Sequence, residues 1–592
     1  MDGAFGLHEL TVESLRILGN VLSCYNLIFS TNNSLCSVRK MKGTKAVSKI
    51  VIAAIIVIIV VVAGVLGYIL TVPSGTKKDT LIMGTTDSVE TTLDPANAYD
   101  YFGEEIISSL GSPLVTYKPG ATGVASDIVP ALATSWSVSP DGLTWTFNLR
   151  QGAKYDDGTE FNATDVKFTF DRGMGIADPD GSFVGIGYSD IIDSITVVSQ
   201  YVVQFNLKIP FGAFLSLMAY QDSCIVDPKY GPMHGTSWNE SDVIQYVAGN
   251  PRASNPMGLG PYTLTSWTRV AGKDTSMELT ANPNYWDAGY PQTKHIIINF
   301  YADSADLALA ITSGAVDMAY RQLAPTDITS MMSNANLKVW SGPGLIQYLC
   351  FQEKYAPFND VHVRQAVAAA INRTALVQTV FQGNAKELYS MIPIGMLGHT
   401  DAFQTLGDAN YTYTQQVLGS LGYNAHNKLS FTLWYETSGH YTLSAEQALV
   451  LKSSLEASGV ISVTLQGLDW AAYGSARRAE TMQAYIMGWY PDYIDPDDYI
   501  FPFLHSGAAG NSWLHENYAD PAMDTLIEWA RGNTTEAART SLYGQINSLM
   551  VQDCPTVPLF QGNAYAVTKT NVQGVYLDAS QMWRHWLVYA TP

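Results

Sequence analysis

At 592 residues the chain is long for one hydrophobic core, so two or more lobes are expected. The formal charge is −20, and residues 79–592 alone hold 25 Lys+Arg against 50 Asp+Glu; such an acidic body argues against nucleic acid, which requires basic surface. None of the five cysteines forms a CxxC pair, which leaves zinc and thioredoxin-like chemistry unsupported.

The first 78 residues differ from the rest, with eight Lys+Arg and three Asp+Glu. From Ile50 to Leu70 the run "IVIAAIIVIIVVVAGVLGYIL" carries no charge. As a helix it is roughly 30 Å long, enough to cross the hydrocarbon layer, and it exceeds the about 7–15 residues of a cleaved signal's apolar core. Arg39, Lys40, Lys42, Lys45 and Lys49 precede it and Lys77 and Lys78 follow. The upstream basic excess puts the N-terminus in the cytoplasm and the body outside. The expectation is a cytoplasmic segment 1–49, one transmembrane anchor or uncleaved signal at 50–70, a linker at 71–78 and an exported body at 79–592. Met41 opens "MKGTKAVSKI", a normal basic start before an export helix, so a mis-called start over residues 1–40 stays open. Asn162, Asn239, Asn372, Asn410 and Asn533 each begin an N-x-Ser/Thr sequon, a cheap pattern that fits an external body.

Along the body, residues 134–170 suggest a β-meander. "LTWTFNLR" alternates, with Trp145, Phe147 and Leu149 on one face, and Asp141-Gly142 and Asp157-Gly158 are turn pairs on either side. "VVQFNL" at 202–207 alternates again, and "HIIINFY" at 295–301 reads as a buried strand. A helix is expected from a Ser304 cap to Gly314, and two more between Asp360 and Gly383. Cys350 in "YLCF" reads as a core strand residue. From 429 the pattern predicts a strand "LSFTLWY", a helix at 444–457, a strand "ISVTL", a strand "QAYIMGWY", and helices at 521–531 and 535–552. This succession argues for an α/β body.

Catalytic signatures are missing: there is no G-x-S-x-G, H-E-x-x-H, phosphate loop or G-x-G-x-x-G. "SVRK" at 37–40 matches S-x-x-K only on the cytoplasmic side of the anchor, a chance match, and the ten histidines do not cluster. The expectation is a binder, not an enzyme, with no catalytic residue, metal or cofactor.

Several stretches then point one way. "PALATSWSVSPDGLTWTFNLRQGAKYDDGTEFNATDVKFTFDR" at 130–172, "NPMGLGPYTLTSW" at 255–267, "ANPNYWDAGYP" at 281–291, "ALAITSGAVDMA" at 308–319, "PFNDVHVRQAVAAAINR" at 357–373, "GWYPDYIDP" and "CPTVPLF" occur in that order. Together they resemble the family 5 extracellular solute-binding proteins, the dipeptide/oligopeptide-binding group of ABC importers, over about residues 79–592. Asn372 stands where the family has an aspartate. The resemblance implies an α/β, class II periplasmic-binding-protein fold with two main lobes plus an extra small lobe. Lobe I would span about 79–115, 256–335 and 561–592, the extra lobe about 116–255 and lobe II about 336–560. It implies a monomer that captures dipeptides or oligopeptides at the cell membrane's outer side and hands them to two permease subunits served by ATP-binding subunits. Oligosaccharide and nickel-chelate binding are the rivals within the family; an exported hydrolase or surface adhesion protein is the rival outside it. The motif residues themselves have structural readings: Gly258 and Gly260 as permissive backbone positions, Arg364 as an ion-pair partner.

"GWYPDYIDPDDY" at 488–499 concentrates acids and aromatics. Asp495 would cap a helix with Pro496 in its first turn and Asp497 and Asp498 at its positive end. Neighbours within one helical turn make a poor glycosidase pair, which must flank a bond, and the calcium-loop pattern is missing. Asp492 remains, past the end of a strand, where α/β sheets place ligands. By the resemblance it pairs with a ligand's α-ammonium, or else it only caps its loop. Trp489 is a pocket wall or a core residue. Tyr490 and Tyr493 are further candidates.

Overall fold

Strand alternation in the sequence becomes one mixed sheet in the computed structural model, which describes residues 77–229, 238–508, 514 and 516–592. The expected anchor at 50–70, residues 1–49, Cys24 and Cys36 lie outside these residues. Among the described residues no helix is long and apolar enough to cross a membrane.

Among them, eleven strands form the main sheet. One flank runs Ile461–Leu468, Leu429–Glu436, Ala484–Trp489; the other runs Met318–Tyr320, Thr80–Thr85, His295–Phe300, Lys273–Ala281, Tyr262–Val270. Between the flanks lie two long antiparallel strands, Leu337–Phe351 and Thr556–Lys569, with Ala385–Glu387 paired to the second. The pairing of the two long strands slips between Pro343 and Ile346, a bulge that bends and twists the ladder locally. Each flank has its own core. Leu81, Met83, Ile296, Ile298 and Trp583 share one cluster; Phe351, Leu433, Ile486 and Tyr499 belong to another. The second core continues into a four-stranded antiparallel sheet ordered Ala133–Val138, Thr144–Leu149, Val202–Leu207, Ile192–Ser199. There Trp145, Phe147 and Leu149 are buried as their alternation predicts, and Gly142 turns at φ +75°.

Three local expectations need correction. The meander stops at Leu149: Ala163–Ile176 is an α-helix, entered through a capping box between Asn162 and Asp165, a signal that the apolar alternation upstream obscured. The cap at Ser304 belongs instead to Asp303, whose side chain accepts from Asp306 N. Gly258 and Gly260 do not hold positive φ. They admit close neighbours, since a Cβ at Gly260 would lie 2.3 Å from the Leu110 carbonyl carbon. The sequon asparagines also gain a local explanation: Asn162, Asn239, Asn372 and Asn410 are helix N-caps, and Asn533 accepts from Thr535 N at 3.1 Å. Asn and Ser/Thr at this spacing are ordinary capping chemistry.

Two motif arginines hold the frame. Arg364 donates to the carbonyls of Phe358, Asp553 and Cys554 and sits 3.2 Å from Glu353, as the ion-pair reading anticipates. Arg172 makes a bidentate pair with Asp94 at 2.8 and 2.6 Å, both side chains at most 1% exposed. Cys224, Cys350 and Cys554 are buried free thiols. Breaking a buried pair on one side costs about 3–5 kcal/mol. Arg172→Met is therefore expected to lower the unfolding free energy by about that much, measured by urea titration. A loss below ~1 kcal/mol would show that the pair does not hold the small sheet to the segment at 92–96.

Candidate functional site

Parallel strands point their carboxyl ends the same way, and loops at those ends converge. Here Thr86–Ser88 follow Thr80–Thr85 and Arg321–Gln322 follow Met318–Tyr320 on one flank. Ser438–Tyr441 follow Leu429–Glu436, Trp470 follows Ile461–Leu468, and Trp489–Asp492 end Ala484–Trp489 on the other. All of these line one cavity of about 580 Å³. The first turn of the helix Tyr101–Leu110 and its cap Asp100 close another side. A cavity of about 230 Å³ elsewhere, lined by Trp286, Tyr290 and Arg584, lacks these converging ends.

The loop after Trp489 is built around Asp498. Its Oδ2 accepts from Trp489 Nε1 at 3.0 Å and from Asp492 N at 3.1 Å. Asp495 caps the helix Pro496–Leu504 and pairs with Arg539 at 2.5 Å, and Asp497 lies 3.0 Å from Arg531. Asp492 is left facing the cavity, where its Oδ2 accepts from Tyr99 Oη at 3.0 Å. Tyr490 lines the same cavity and packs on Tyr101 at 5.1 Å between ring centroids. Trp489 is both of the things it was read as: 8% exposed and edge-on to Phe503, yet part of the cavity lining. Tyr493 parts from the other three. It is buried in the core and donates to Asp497 at 2.9 Å, and it is not among the cavity's lining residues. The turn at Pro491 carries Asp492 toward the cavity while Tyr493 follows the helix it precedes.

Carboxylates dominate one part of the lining. Glu104 accepts from Tyr220 Oη at 2.7 Å. Its pKa is raised well above the usual range, first by burial and then by the charges of Asp222 and Asp492. Burial pushes Asp492 up to about 7 against the opposing hydrogen bond from Tyr99, and Asp100 up to about 6. Asp492 keeps contact with solvent through the cavity although protein atoms surround it on its other sides. Such a cluster shares protons at neutral pH and is suited to a cation.

Two cations line the same cavity. Arg321 is compensated: it pairs with Asp87, which also accepts from Gln322 Nε2 at 2.7 Å, and its guanidinium lies 4.1 Å over the Tyr101 ring. Arg321 and Gln322 hold φ of +59° and +56°, a left-handed backbone that costs free energy in non-glycine residues. Arg477, in the last turn of Trp470–Arg478, differs. It is 5% exposed, and among the described residues no acid forms an ion pair with it; its Nε and Nη1 lack hydrogen-bond partners, as do Arg321 Nε and Nη2. His440 stacks on Trp470 at 3.7 Å and is held neutral by burial, its pKa lowered to about 4. Sequence reading missed Arg477, Tyr99 and Glu104. A basic residue in a helix's last turn is commonplace, and acids in a helix's first turn are too.

The fold and the strand-end cavity define a ligand-binding protein of the periplasmic-binding type. A family model described as "Bacterial extracellular solute-binding proteins, family 5 Middle" matches residues 127–511, and the chain belongs to this family, the substrate-binding proteins of ABC importers. It is 27% identical over 486 residues to the dipeptide-binding protein of Escherichia coli K12, covering 78% of this chain and 86% of that protein. It is 26% identical to heme-binding protein A of Haemophilus influenzae, over 78% of this chain and 83% of that one. The structure of the periplasmic binding protein DppA from Helicobacter pylori with peptide STSA superposes with a TM-score of 0.72 at 24% identity, covering 87% of this chain and 99% of that one.

The raised acids fix a pH dependence. A carboxyl whose folded pKa lies above its unfolded value binds more protons in the folded state, so it destabilises at high pH and that cost is relieved as pH falls. The relief sets in as pH falls through these values, Asp492 near 7, Glu353 near 7 and Glu105 near 8, and continues toward the unfolded carboxyl range near 4 at up to about 1.4 kcal/mol per pH unit for each group; pH 8.5 to 6.5 spans its onset. Below it, His440 and His585, both held neutral by burial, oppose the trend. The ligand-free protein is expected to melt at a higher temperature at pH 6.5 than at pH 8.5, and Asp492→Asn to reduce the difference. A melting temperature that rises with pH across that window contradicts the assignment.

Proposed function

We propose that the chain captures dipeptides or oligopeptides outside the cell and delivers them to the two permease subunits of an ABC importer, driven by ATP-binding subunits. It does no chemistry on its ligand. In this reading Asp492, with Tyr99 and Glu104 around it, receives the peptide's α-ammonium, and Arg477 receives a carboxylate. The observation that carries it is Arg477, a buried guanidinium that, unlike Arg321, has no acid paired with it among the described residues, in a cavity whose other wall is acidic. A ligand bearing both charges satisfies both ends, through charge-assisted bonds shielded from water. The relatives named for dipeptides support a peptide over other solutes.

The two flanks would be the closing lobes, lobe I at about 79–115, 256–335 and 561–592 and lobe II at about 336–560, with an extra lobe at about 116–255. Their separate cores and the bulge in the long strands between them suit rotation about that bulge. The body would be a monomer held at the membrane's outer face by the single helix at 50–70.

Sugar binding is the weaker reading because aromatic faces in the cavity are already engaged. Trp470 stacks against His440 and Tyr473, and Tyr101 lies under Arg321. A bare metal ion would find no group of three His, Cys, Asp or Glu to hold it among the described residues; a nickel chelate, which brings its own ligands, is kept as an outcome of the test.

Calorimetry of the full chain in detergent against di- to tetra-alanine, N-acetylated and C-amidated trialanine, cello- and malto-oligosaccharides, haem and nickel tests the reading. Removing one partner of a buried charge pair costs about 2–5 kcal/mol. Asp492→Asn is thus expected to weaken trialanine by ~30-fold or more, as N-acetylation does. Arg477→Gln is expected to lower affinity for trialanine and leave the C-amidated peptide nearly unchanged. Tight sugar binding without a peptide response would sink the proposal.

A further inference from the structure

The cavity of about 230 Å³ beside Trp286 shares no lining residue with the strand-end cavity, and none of its lining comes from residues 336–560. It is a seam apart from the cleft. One side is the hairpin of Val115–Tyr117 and Ile128–Pro130. The other is the loop at 285–290 together with the segment that leads into the single helical turn His585–Leu587.

Its walls carry four accessible aromatic rings, Tyr285, Trp286, Tyr290 and Trp586. Three are half-buried and Tyr290 is 37% exposed, whereas Trp267 and Trp583 are sealed in a core. Trp286 is held in place: its Nε1 donates to Ser112 Oγ at 3.1 Å, and the Arg150 guanidinium lies 4.2 Å over its ring. Such rings present flat apolar area and lose little side-chain freedom when covered.

The charges around the seam select a neutral guest. Lys118 and Arg584 line it and are answered by Asp127 and Asp578. Asp287 lines it too, and Arg150 is the charge that acts on it. Three cations therefore face three carboxylates, so neither an anion nor a cation finds an unanswered charge of opposite sign. Hydrogen bonding is left open instead. Among the described residues the Asp287 carboxylate and the Tyr285 hydroxyl have no partner, and neither belongs to the polar atoms sealed from solvent. A hydroxyl-bearing guest donates to Asp287 and accepts from Tyr285. A plain aromatic ring would cover the walls but take water from Asp287 without returning a donor. An engineered cavity of about 150 Å³ holds benzene; the larger seam suits one six-membered ring with its hydroxyls.

We infer that the seam binds one uncharged pyranose ring, stacked on the aromatic wall and hydrogen-bonded by Asp287 and Tyr285. The ring belongs either to a free sugar or to the end of a surface glycan. The site is additional to the peptide cleft and does not depend on it.

The test uses the full chain in a detergent without a sugar head group and reads binding by saturation-transfer NMR. The probes are glucose, galactose, mannose and N-acetylglucosamine, each as the free sugar and as its methyl glycoside. At least one ring is expected to bind, with an affinity that saturating trialanine leaves within about twofold. A methyl glycoside within about threefold of its free sugar identifies a glycan end; a larger loss identifies a free sugar. Asp287→Asn removes a charged acceptor and Trp586→Leu removes a ring, and each is expected to weaken the probe by about tenfold while trialanine binding holds. Should Trp586→Leu fail to fold, Asp287→Asn decides. No binding of any probe by wild type, displacement of the probe by trialanine, or binding that survives Asp287→Asn overturns the inference. If wild type binds no peptide, the functional reading falls alone, and the seam is upheld by a probe that persists in Asp492→Asn and is lost in Asp287→Asn.

Discussion

Everything in the site depends on two backbone strands that pass from one flank of the sheet to the other. Leu337–Phe351 and Thr556–Lys569 pair along most of their length, so the flanks that carry Asp87 and Asp492 belong to one hydrogen-bonded ladder. A ladder of that kind fixes which strand ends face one another. It also concentrates any bending where pairing slips, near Pro343 and Ile346. Gly342 and Gly344 sit there because a Cβ would run into Leu577 or the opposing strand, at 2.3 Å and 2.8 Å. The close backbone approach that brings the flanks together thus also restricts what residues the crossing can contain.

On that frame the cleft is left electrostatically incomplete. Most buried charges in the body are answered within it: Arg172 by Asp94, Arg539 by Asp495, Arg584 by Asp578. Where the strand ends meet, the pattern changes. Burial pushes Asp498, Asp492, Glu104 and Asp222 upward, and the charge of Asp492 adds to the rise of the other three; Arg477 has no acid paired with it among the described residues. Raised carboxyls occur elsewhere too, as at Glu353 and Glu516, but at the strand ends they gather beside an open cavity, which is where a ligand-binding function is expected to reside.

Much of the frame was legible in the sequence because it rests on local chemistry. Apolar alternation in "LTWTFNLR", the Asp360 cap and the Asp495-Pro496 helix start each follow from a few neighbouring residues, and the structure carries each of them. The helix Ala163–Ile176 was hidden because its capping box lies just past a strong strand pattern. The site was legible only where a local rule ran out: Asp492 stood apart because its three neighbouring aspartates were explained by the helix. Tyr493 could not be separated from Tyr490 by sequence, since the turn at Pro491 decides which side chain meets the cavity. Arg477 was beyond reach for a different reason. It sits on a helix with ordinary neighbours, and only the tertiary placement shows that its Nε and Nη1 have no hydrogen-bond partner among the described residues.

A magnitude separates Arg477 from a merely structural cation. A basic residue in a helix's last turn gains about 0.3–1 kcal/mol from the helix dipole. Taking a guanidinium out of water costs several kcal/mol even after relaxation, so the dipole alone does not offset the burial. Arg364 shows how the fold handles the same problem when the role is structural: it supplies three backbone carbonyls and Glu353. Arg477 receives no such set. In the proposed reading, the difference between these two arginines, one recognisable from the family motif and one not, is the difference between holding the scaffold and receiving a ligand's carboxylate. A motif residue such as Arg364 is, in that reading, satisfied within the frame, whereas Arg477 takes its partner from the ligand.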